Sequence, residues 1–322
     1  MTQVRKFGRK SKHNNLILYI AILALVLIFS VTTKNFFSGT NLKAILQSMA
    51  TLSVLAFGET FILSIGETDI SNGAMLSLSP VIFAALYMRD VPFLPALILG
   101  ILATLALGLL NALVIVKAGL PSFIGTLGVS GVAMGLTRII ANNKPILMEH
   151  QGMLKVFGGE TAGIPNAVLW MAAMLLIGDF IIRRTRFGRN LLCIGDNREA
   201  AMIYGIRINR HVILAFLLDA VFVTAAGFME CCRSTYVTAG VGEALVLNSI
   251  VASVIGGTAV SGGRANMIGT FMGALFITIV ANGLFMFAIS PYLTNIIVGL
   301  VIIVVLTGNA LMSNREQELK RT

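Results

Sequence analysis

The sequence predicts an all-α, polytopic membrane protein of about ten transmembrane helices, broken by two matching Gly/Thr/Ser segments. Three observations predict it. Of 322 residues, 57% are hydrophobic and 12% charged, with a mean hydropathy of +0.89, which excludes a water-soluble core inside a charged surface. The apolar residues gather in charge-poor runs long enough to cross about 30 Å of hydrocarbon. Finally, a nine-residue stretch occurs twice, as Ile65-Gly66-Glu67-Thr68-Asp69-Ile70-Ser71-Asn72-Gly73 and as Ile255-Gly256-Gly257-Thr258-Ala259-Val260-Ser261-Gly262-Gly263, with Ile, Gly, Thr, Ser and Gly in register. Such residues free backbone groups from helical bonding, and at membrane depth those groups must be buried in protein or face a watery cavity. Paired interruptions in two halves of a chain point to a translocation site.

The elements follow in order. Leu16 to Thr33 comes after Arg5, Lys6, Arg9, Lys10 and Lys12, a signal-like start; no small-residue cleavage site follows, so the run reads as a retained first helix. The next spans are Ala44 to Ile65, Ile70 to Met88, Val91 to Val116 and Ala118 to Thr137. After a Gly-rich, lightly charged segment, Asn142 to Gly163, come Ile164 to Ile182, Val212 to Met229, Ala244 to Val260, Ala265 to Ala288 and Pro291 to Met312. With the N-terminus inside, seventeen Lys and Arg residues lie inside and seven outside, as the positive-inside rule requires, and both termini are cytoplasmic. Most of the net charge of +10 is thereby explained by orientation, with no need for nucleic acid as a partner. On this count both glycine segments follow helices running outside to inside, which implies a parallel repeat or a re-entrant half-helix.

The basic block of residues 183–210 belongs in the cytoplasm and reads as a distinct segment within one membrane domain spanning 1–322. Inside it, Asp196 or Asn197 is a good N-cap, Glu199 favours the first turn, Ala200 and Ala201 favour helix, and Gly205 ends it, which predicts a helix of two to three turns. Ala201, Ile203 and Tyr204 are expected either to fill a groove on a partner, oriented by Arg198 and Glu199, or to pack on the chain's own bundle.

At these residues the chain resembles a known family. Glu199-Ala200-Ala201-x-x-x-Gly205 matches the EAA-x-x-x-G coupling motif of ATP-binding-cassette importer permeases, and Thr185-Arg186-Phe187-Gly188-Arg189 resembles the stretch that precedes it. Leu120-Pro121-Ser122-Phe123-Ile124-Gly125-Thr126-Leu127-Gly128, Ile255 to Arg264, and Asn282-Gly283-Leu284 are similar to segments of the ribose-type monosaccharide permeases, in the branched-chain amino acid/sugar permease superfamily. The likeness runs from Asn41 to Leu306. It departs at Glu67, where the family has glycine, at Arg264-Ala265, at Val237-Thr238-Ala239-Gly240, and at Asn248, where aspartate is common.

The resemblance implies the membrane-spanning subunit of an importer for a monosaccharide or similar polyhydroxy solute in a bacterial inner membrane. It also implies a second permease subunit, a cytoplasmic ABC ATPase docked on Arg198, Glu199, Ala200, Ala201, Tyr204 and Gly205, and a periplasmic or lipid-anchored solute-binding protein. No cofactor is expected, and no catalytic or metal residues: the chain lacks a Gly-x-x-x-x-Gly-Lys-Ser/Thr loop, so ATP would be bound by the partner. Glu67, Thr68, Asp69, Ser71, Asn72, Asn248, Thr258 and Ser261 are the candidates for the solute path.

Several of these residues also have local readings. Asp69 and Ser71 stand where the third helix begins, and Thr258 and Ser261 near the start of the ninth, so all four are expected as N-caps. Glu59, Asp179 and Asp219 are ionisable groups inside spans; Asp179 is expected to pair with Arg183, and the other two either bind hydroxyls or pair across helices. Cys193 and the pair Cys231-Cys232 lack metal spacing and read as packing residues. A proton-coupled secondary transporter would use Glu67, Asp69 or Asp219 as a relay. Gly128-Val129-Ser130-Gly131 matches an intramembrane serine protease motif, but His13, His150 and His211 all lie away from the depth of Ser130.

Overall fold

A computed structural model describes residues 18–290, 293–294, 296–300, 303 and 307. The basic residues Arg5 to Lys12, most of the tenth expected span and the tail charges Arg315, Lys320 and Arg321 lie outside the described residues.

Helices dominate. In order they are α1 (Leu18–Thr32), α2 (Gly39–Ser64), α3 (Asn72–Tyr87), α4 (Phe93–Val116), α5 (Ser122–Ile140), a short α6 (Gln151–Met153), α7 (Asn166–Arg184), α8 (Arg186–Asp196), α9 (Arg198–Ile203), α10 (Ile208–Ser234), α11 (Glu243–Ile255) and α12 (Met267–Met286). Six of them, α2, α4, α5, α7, α10 and α12, are long and apolar enough to cross a membrane. The expected count of ten full spans is not reproduced among the described residues. At 1.5 Å per residue the 16 residues of α3 reach about 24 Å and the 13 of α11 about 20 Å, short of the hydrocarbon thickness. Both adjoin a glycine segment, which removes residues from the helix.

Proline sets several boundaries. Pro92, Pro121 and Pro165 stand directly before α4, α5 and α7 with φ of −54 to −56°, where a missing N–H costs nothing. Pro80 lies inside α3 and leaves the Leu76 carbonyl without its usual helical donor; Gly227 of α10 packs directly on that carbonyl, an approach that any side chain would block.

Residues Leu46–Ala274 form one compact unit. Its centre is α3, packed against α4, α5 and α10, with every residue from Asn72 to Val81 buried. α4 shows the division of faces: Ala96, Gly100, Thr104, Leu107 and Asn111 are buried, while Leu94, Ile98 and Leu102, spaced by one turn each, form an exposed apolar stripe. Small residues bring α11 and α12 together, since Gly269 and Gly273 lie on the Gly256 and Ala252 carbonyls.

The segment expected as a loop, Asn142 to Gly163, carries short elements: β1 (Ile146–Leu147), α6, a π-helical turn at Leu154–Gly158, and β2 (Glu160–Thr161), which pairs antiparallel with β3 (Ile164–Pro165). β1 pairs antiparallel with β4 (Tyr236–Val237), Ile146 opposite Val237. Beneath this cap Phe83, Met148, Met153, Phe228, Cys231 and Cys232 form an apolar core, so the adjacent cysteines are buried packing residues, as expected, whereas Cys193 of α8 is exposed and does not pack. His150 stacks on Phe93 with ring centres 4.4 Å apart and accepts a hydrogen bond from Met153 N–H through Nδ1.

A second unit draws on the chain up to Ile45 and from Leu275 onward. Within it Asn41 and Asn282 exchange amide hydrogen bonds of 3.2 and 2.9 Å, and Gly283 lies against the Phe29 ring, which accounts for the Asn-Gly pair in the motif at 282–284.

Candidate functional site

The loop between α2 and α3 has no ladder or helix to satisfy its backbone, so side chains do most of it. Glu67 N–H bonds to the Ile62 carbonyl, Thr68 N–H to Ser122 Oγ at 3.1 Å, Asp69 N–H to Glu59 Oε1 at 3.4 Å, Ile70 N–H to Thr126 Oγ1 at 3.1 Å, and Ser71 N–H to Asp69 Oδ1 at 2.7 Å. Five successive amides thus have partners, as a buried, non-helical segment requires.

The acceptors form a network. Glu59 also takes a bond from Asn72 Nδ2 at 3.0 Å, and Asp69 takes one from Ser71 Oγ at 2.6 Å and one from Asn111 Nδ2 at 3.0 Å. Asn111 reaches Ser71 Oγ as well, at 2.7 Å. Asp219 of α10 sits beside Asp69 and Asn72 and against Gly58, without hydrogen-bond geometry for either oxygen. Glu59 therefore takes the cross-helix role offered to it by sequence. Ser71 occupies the N-cap position of α3 but its side chain makes no capping bond, and Asp69 closes a local turn onto Ser71 instead of capping the helix. The capping expectation is corrected for both.

The second loop, between α11 and α12, is closed by a residue that sequence reading missed. Asn266 Oδ1 accepts from Gly269 N–H at 3.1 Å and so caps α12, its Nδ2 donates to the Gly256 carbonyl at 2.9 Å, and its own N–H bonds to Thr258 Oγ1 at 3.2 Å. Thr258 is thus a buried acceptor and Ser261 is exposed; neither caps the helix. Asn248 is half-buried on α11 and has no hydrogen bond to the Glu59–Asp69 network among the described residues.

The two loops touch each other and the basic helix pair. Gly263 N–H bonds to the Ser64 carbonyl at 3.0 Å, and Gly66 lies beside the Ser261 carbonyl. Gly195, near the end of α8, packs on the Ser64 carbonyl and on Gly262 and Gly263. Both glycine loops therefore lie against the end of α8.

α9 is shorter than expected, six residues, with Asn197 Oδ1 capping Ala200 N–H at 2.9 Å and Gly205 in the left-handed region at φ +78°. Its faces differ from the expected ones. Ala201 is buried on the chain itself, whereas Met202, Ile203 and Tyr204 are exposed, the last two at 85%. Ala201 is thus not part of an outward apolar face; Glu199 and Gly205 are exposed and Ala200 is half-buried. Arg198 turns inward, its Nη1 3.1 Å from Glu67 Oε1. Glu67, the departure from the family's glycine, thus has an ion-pair partner 131 residues away in sequence. A cleft of about 460 Å³ opens beside this pair, lined by Ile115, Leu120, Pro121 and Met202 among others.

The remaining polar groups are accounted for nearby. Arg183 pairs with Asp179 at 2.7 Å, as its i+4 spacing predicts. His211 bonds to Asn190 and stacks on Phe187, so both described histidines are engaged away from Ser130; His13 lies outside the described residues. Asn111, Ser122, Thr126 and Asn266 are the site residues missed in the sequence. Asn111 carried a signal, as the one amide in the strongly apolar α4.

A family model described as branched-chain amino acid transport system / permease component matches residues 41–306. The chain belongs to this family. It is 33% identical over 97% of its length to the probable ABC transporter permease protein YphD of Escherichia coli (strain K12), covering 94% of that protein. It is 32% identical to the ribose import permease protein RbsC of Bacillus subtilis (strain 168), over 89% of each chain. It is also 29% identical to the D-allose transport system permease protein AlsC of Escherichia coli (strain K12), over 92% of this chain and 91% of that one. No solved structure matches it. The chain is therefore a membrane permease of the ABC class, a transport component that works with an ATPase and a solute-binding protein, and not itself an enzyme.

Proposed function

We propose that this permease carries a monosaccharide or similar polyhydroxy solute inward across a bacterial inner membrane, as the transmembrane subunit of an ATP-driven importer. Relatives named for ribose, D-allose and xylose/arabinose support the solute class. The observation that carries the coupling is the divided surface of α9 and its C-cap: Ile203 and Tyr204 project outward while Arg198, at the inner end, is paired with Glu67 of the first glycine loop. An apolar helix face of this kind fits a groove on a partner, here the cytoplasmic ATPase.

In this reading two copies or close relatives of the chain flank the path, and both termini are cytoplasmic. Residues 1–322 act as one permease domain with 183–210 as its coupling segment. Asp69, Ser71 and Asn72 hold the frame of the path through the buried network. Glu67, Thr68, Asn248, Thr258 and Ser261 are the further candidates for lining the path. No cofactor is needed beyond the ATP held by the partner.

The test is uptake of labelled ribose, allose, xylose and arabinose into sealed vesicles. Uptake of at least one that requires the ATPase and internal ATP, and survives a protonophore, is the expected result. Uptake by this chain alone, abolished by the protonophore, would replace the reading with a proton-coupled carrier.

A further inference from the structure

Resting on the proposed docking of an ATPase on α9, we propose that Glu67 and Arg198 are positioning residues whose ion pair transmits movement of α9 to the first glycine loop, residues 66–71. α9 has only six residues, so from Tyr204 back to Arg198 is about 9 Å of continuous helix and cap, short enough to move as one rod. The outward end of that rod carries Ile203 and Tyr204, and the inward end carries Arg198. The Arg198 side chain is 48% exposed but its partner Glu67 is 11% exposed, so the contact is partly withdrawn from water and is screened less than a surface pair.

From Glu67 the path inward is short. The next four amides are each held by a side chain of α2, α5 or the loop itself: Ser122, Glu59, Thr126 and Asp69. Displacing Glu67 therefore strains bonds that end on Glu59 and on the Asp69–Asn111 contact, in the buried heart of the unit. The backbone packing of Gly195 on Ser64, Gly262 and Gly263 lies on the far side of Asn197 and reaches the second loop as well. It fixes the end of α8, while the ion pair gives α9 its own hold on the first loop. The cleft of about 460 Å³ beside the pair leaves space for Arg198 and Met202 to shift without entering packed side chains.

Hydrogen exchange of the loop amides reads this directly. The permease–ATPase complex in nanodiscs would be compared without nucleotide and after trapping with ATP and orthovanadate, for wild type, Glu67→Gln, Arg198→Gln, Arg198→Lys and the double exchange Glu67→Arg/Arg198→Glu. In wild type, trapping should alter exchange at both 198–203 and 66–71. In Glu67→Gln and Arg198→Gln the response at 66–71 should fall about fivefold while that at 198–203 persists, with ATPase co-purification retained in Glu67→Gln, and Arg198→Lys and the double exchange should restore much of the loop response. An undiminished loop response in both single variants, with α9 still responding, would overturn the proposal. A wild-type complex in which 198–203 itself does not respond would instead overturn the docking on which it rests. Melting temperatures of the variants within a few degrees of wild type show that the loop signal reports transmission and not unfolding.

Discussion

Asn111 is the donor that ties α4 to Asp69: its Nδ2 lies 3.0 Å from Asp69 Oδ2, and both residues are at most 1% exposed. No arginine or lysine is paired with this carboxylate among the described residues. Its stabilisation comes from the Asn111 amide and from the two Ser71 groups, N–H and Oγ. A buried acceptor stripped of its donors costs far more than the bond is worth in place.

Asp69→Asn keeps an oxygen for both Ser71 donors, and the Asn111 amide can turn its unpartnered Oδ1 toward the new NH₂ group. The substitution should cost less than about 1 kcal/mol. Asp69→Ala strands Ser71 N–H and one hydrogen of Asn111 Nδ2 and should cost roughly 2–4 kcal/mol, as should Asn111→Leu, which leaves Asp69 Oδ2 buried without its donor. Thermal melts of the detergent-solubilised protein check the order. Equal losses for Asp69→Asn and Asp69→Ala would show that charge, and not bonding, is what this position supplies.

Two glycines in the basic segment should fail for different reasons. A Cβ on Gly195 would overlap the Ser64 carbonyl and the Gly263 amide, both backbone, so Gly195→Ala should cost about 2 kcal/mol or more through overpacking and loosen the junction of the two loops. Gly205 has open space around it but φ of +78°, so Gly205→Ala should cost about 1 kcal/mol through backbone strain alone. Limited proteolysis in the 183–210 segment separates them, with faster cleavage expected for the Gly195 variant. The reverse order would place the junction elsewhere.

Asn266 offers a third test. It caps α12 and holds the Gly256 carbonyl, so Asn266→Ala should cost about 1–2 kcal/mol and Asn266→Asp less, because Oδ1 is kept for Gly269 N–H. Ser261→Ala, at an exposed position, should leave the melting temperature unchanged. A larger shift for Ser261 than for Asn266 would return the capping role to the repeat itself.

Much of this fold was legible in the sequence because hydropathy and proline placement act locally. The runs beginning at Val91, Ala118 and Ile164 correspond to α4, α5 and α7, and each helix starts at the residue after a proline. The basic block held its helix and its Asn197 cap. The glycine segments were recognisable as breaks, but their contacts were not, since nothing in the spacing of Gly66 and Gly263 says that they meet. Nor could spacing show Glu67 facing Arg198, 131 residues away, or Asn111 reaching into the first loop. Capping was misassigned because the helix start at Asn72 lies three residues beyond Asp69, and a side chain that bonds its own turn looks in sequence like one that caps a helix.

The faces of α9 give the last prediction. A charge at Ala201, which is 2% exposed, would be buried against the chain's own helices and should lower stability by several kcal/mol, so loss of ATPase binding in Ala201→Asp would say little about docking. Ile203 and Tyr204, both 85% exposed, touch almost nothing within the chain. Ile203→Asp and Tyr204→Asp should therefore melt with the wild type, insert normally and yet fail to retain the ATPase on co-purification, because a docked apolar face cannot bury an unpaired carboxylate. Met202→Asp is the intermediate case, since that side chain is exposed and also lines the cleft beside Arg198. It should weaken ATPase retention and draw Arg198 away from Glu67. Full retention of the ATPase by both Ile203→Asp and Tyr204→Asp would move the docking surface off α9, most directly onto the exposed residues of α8.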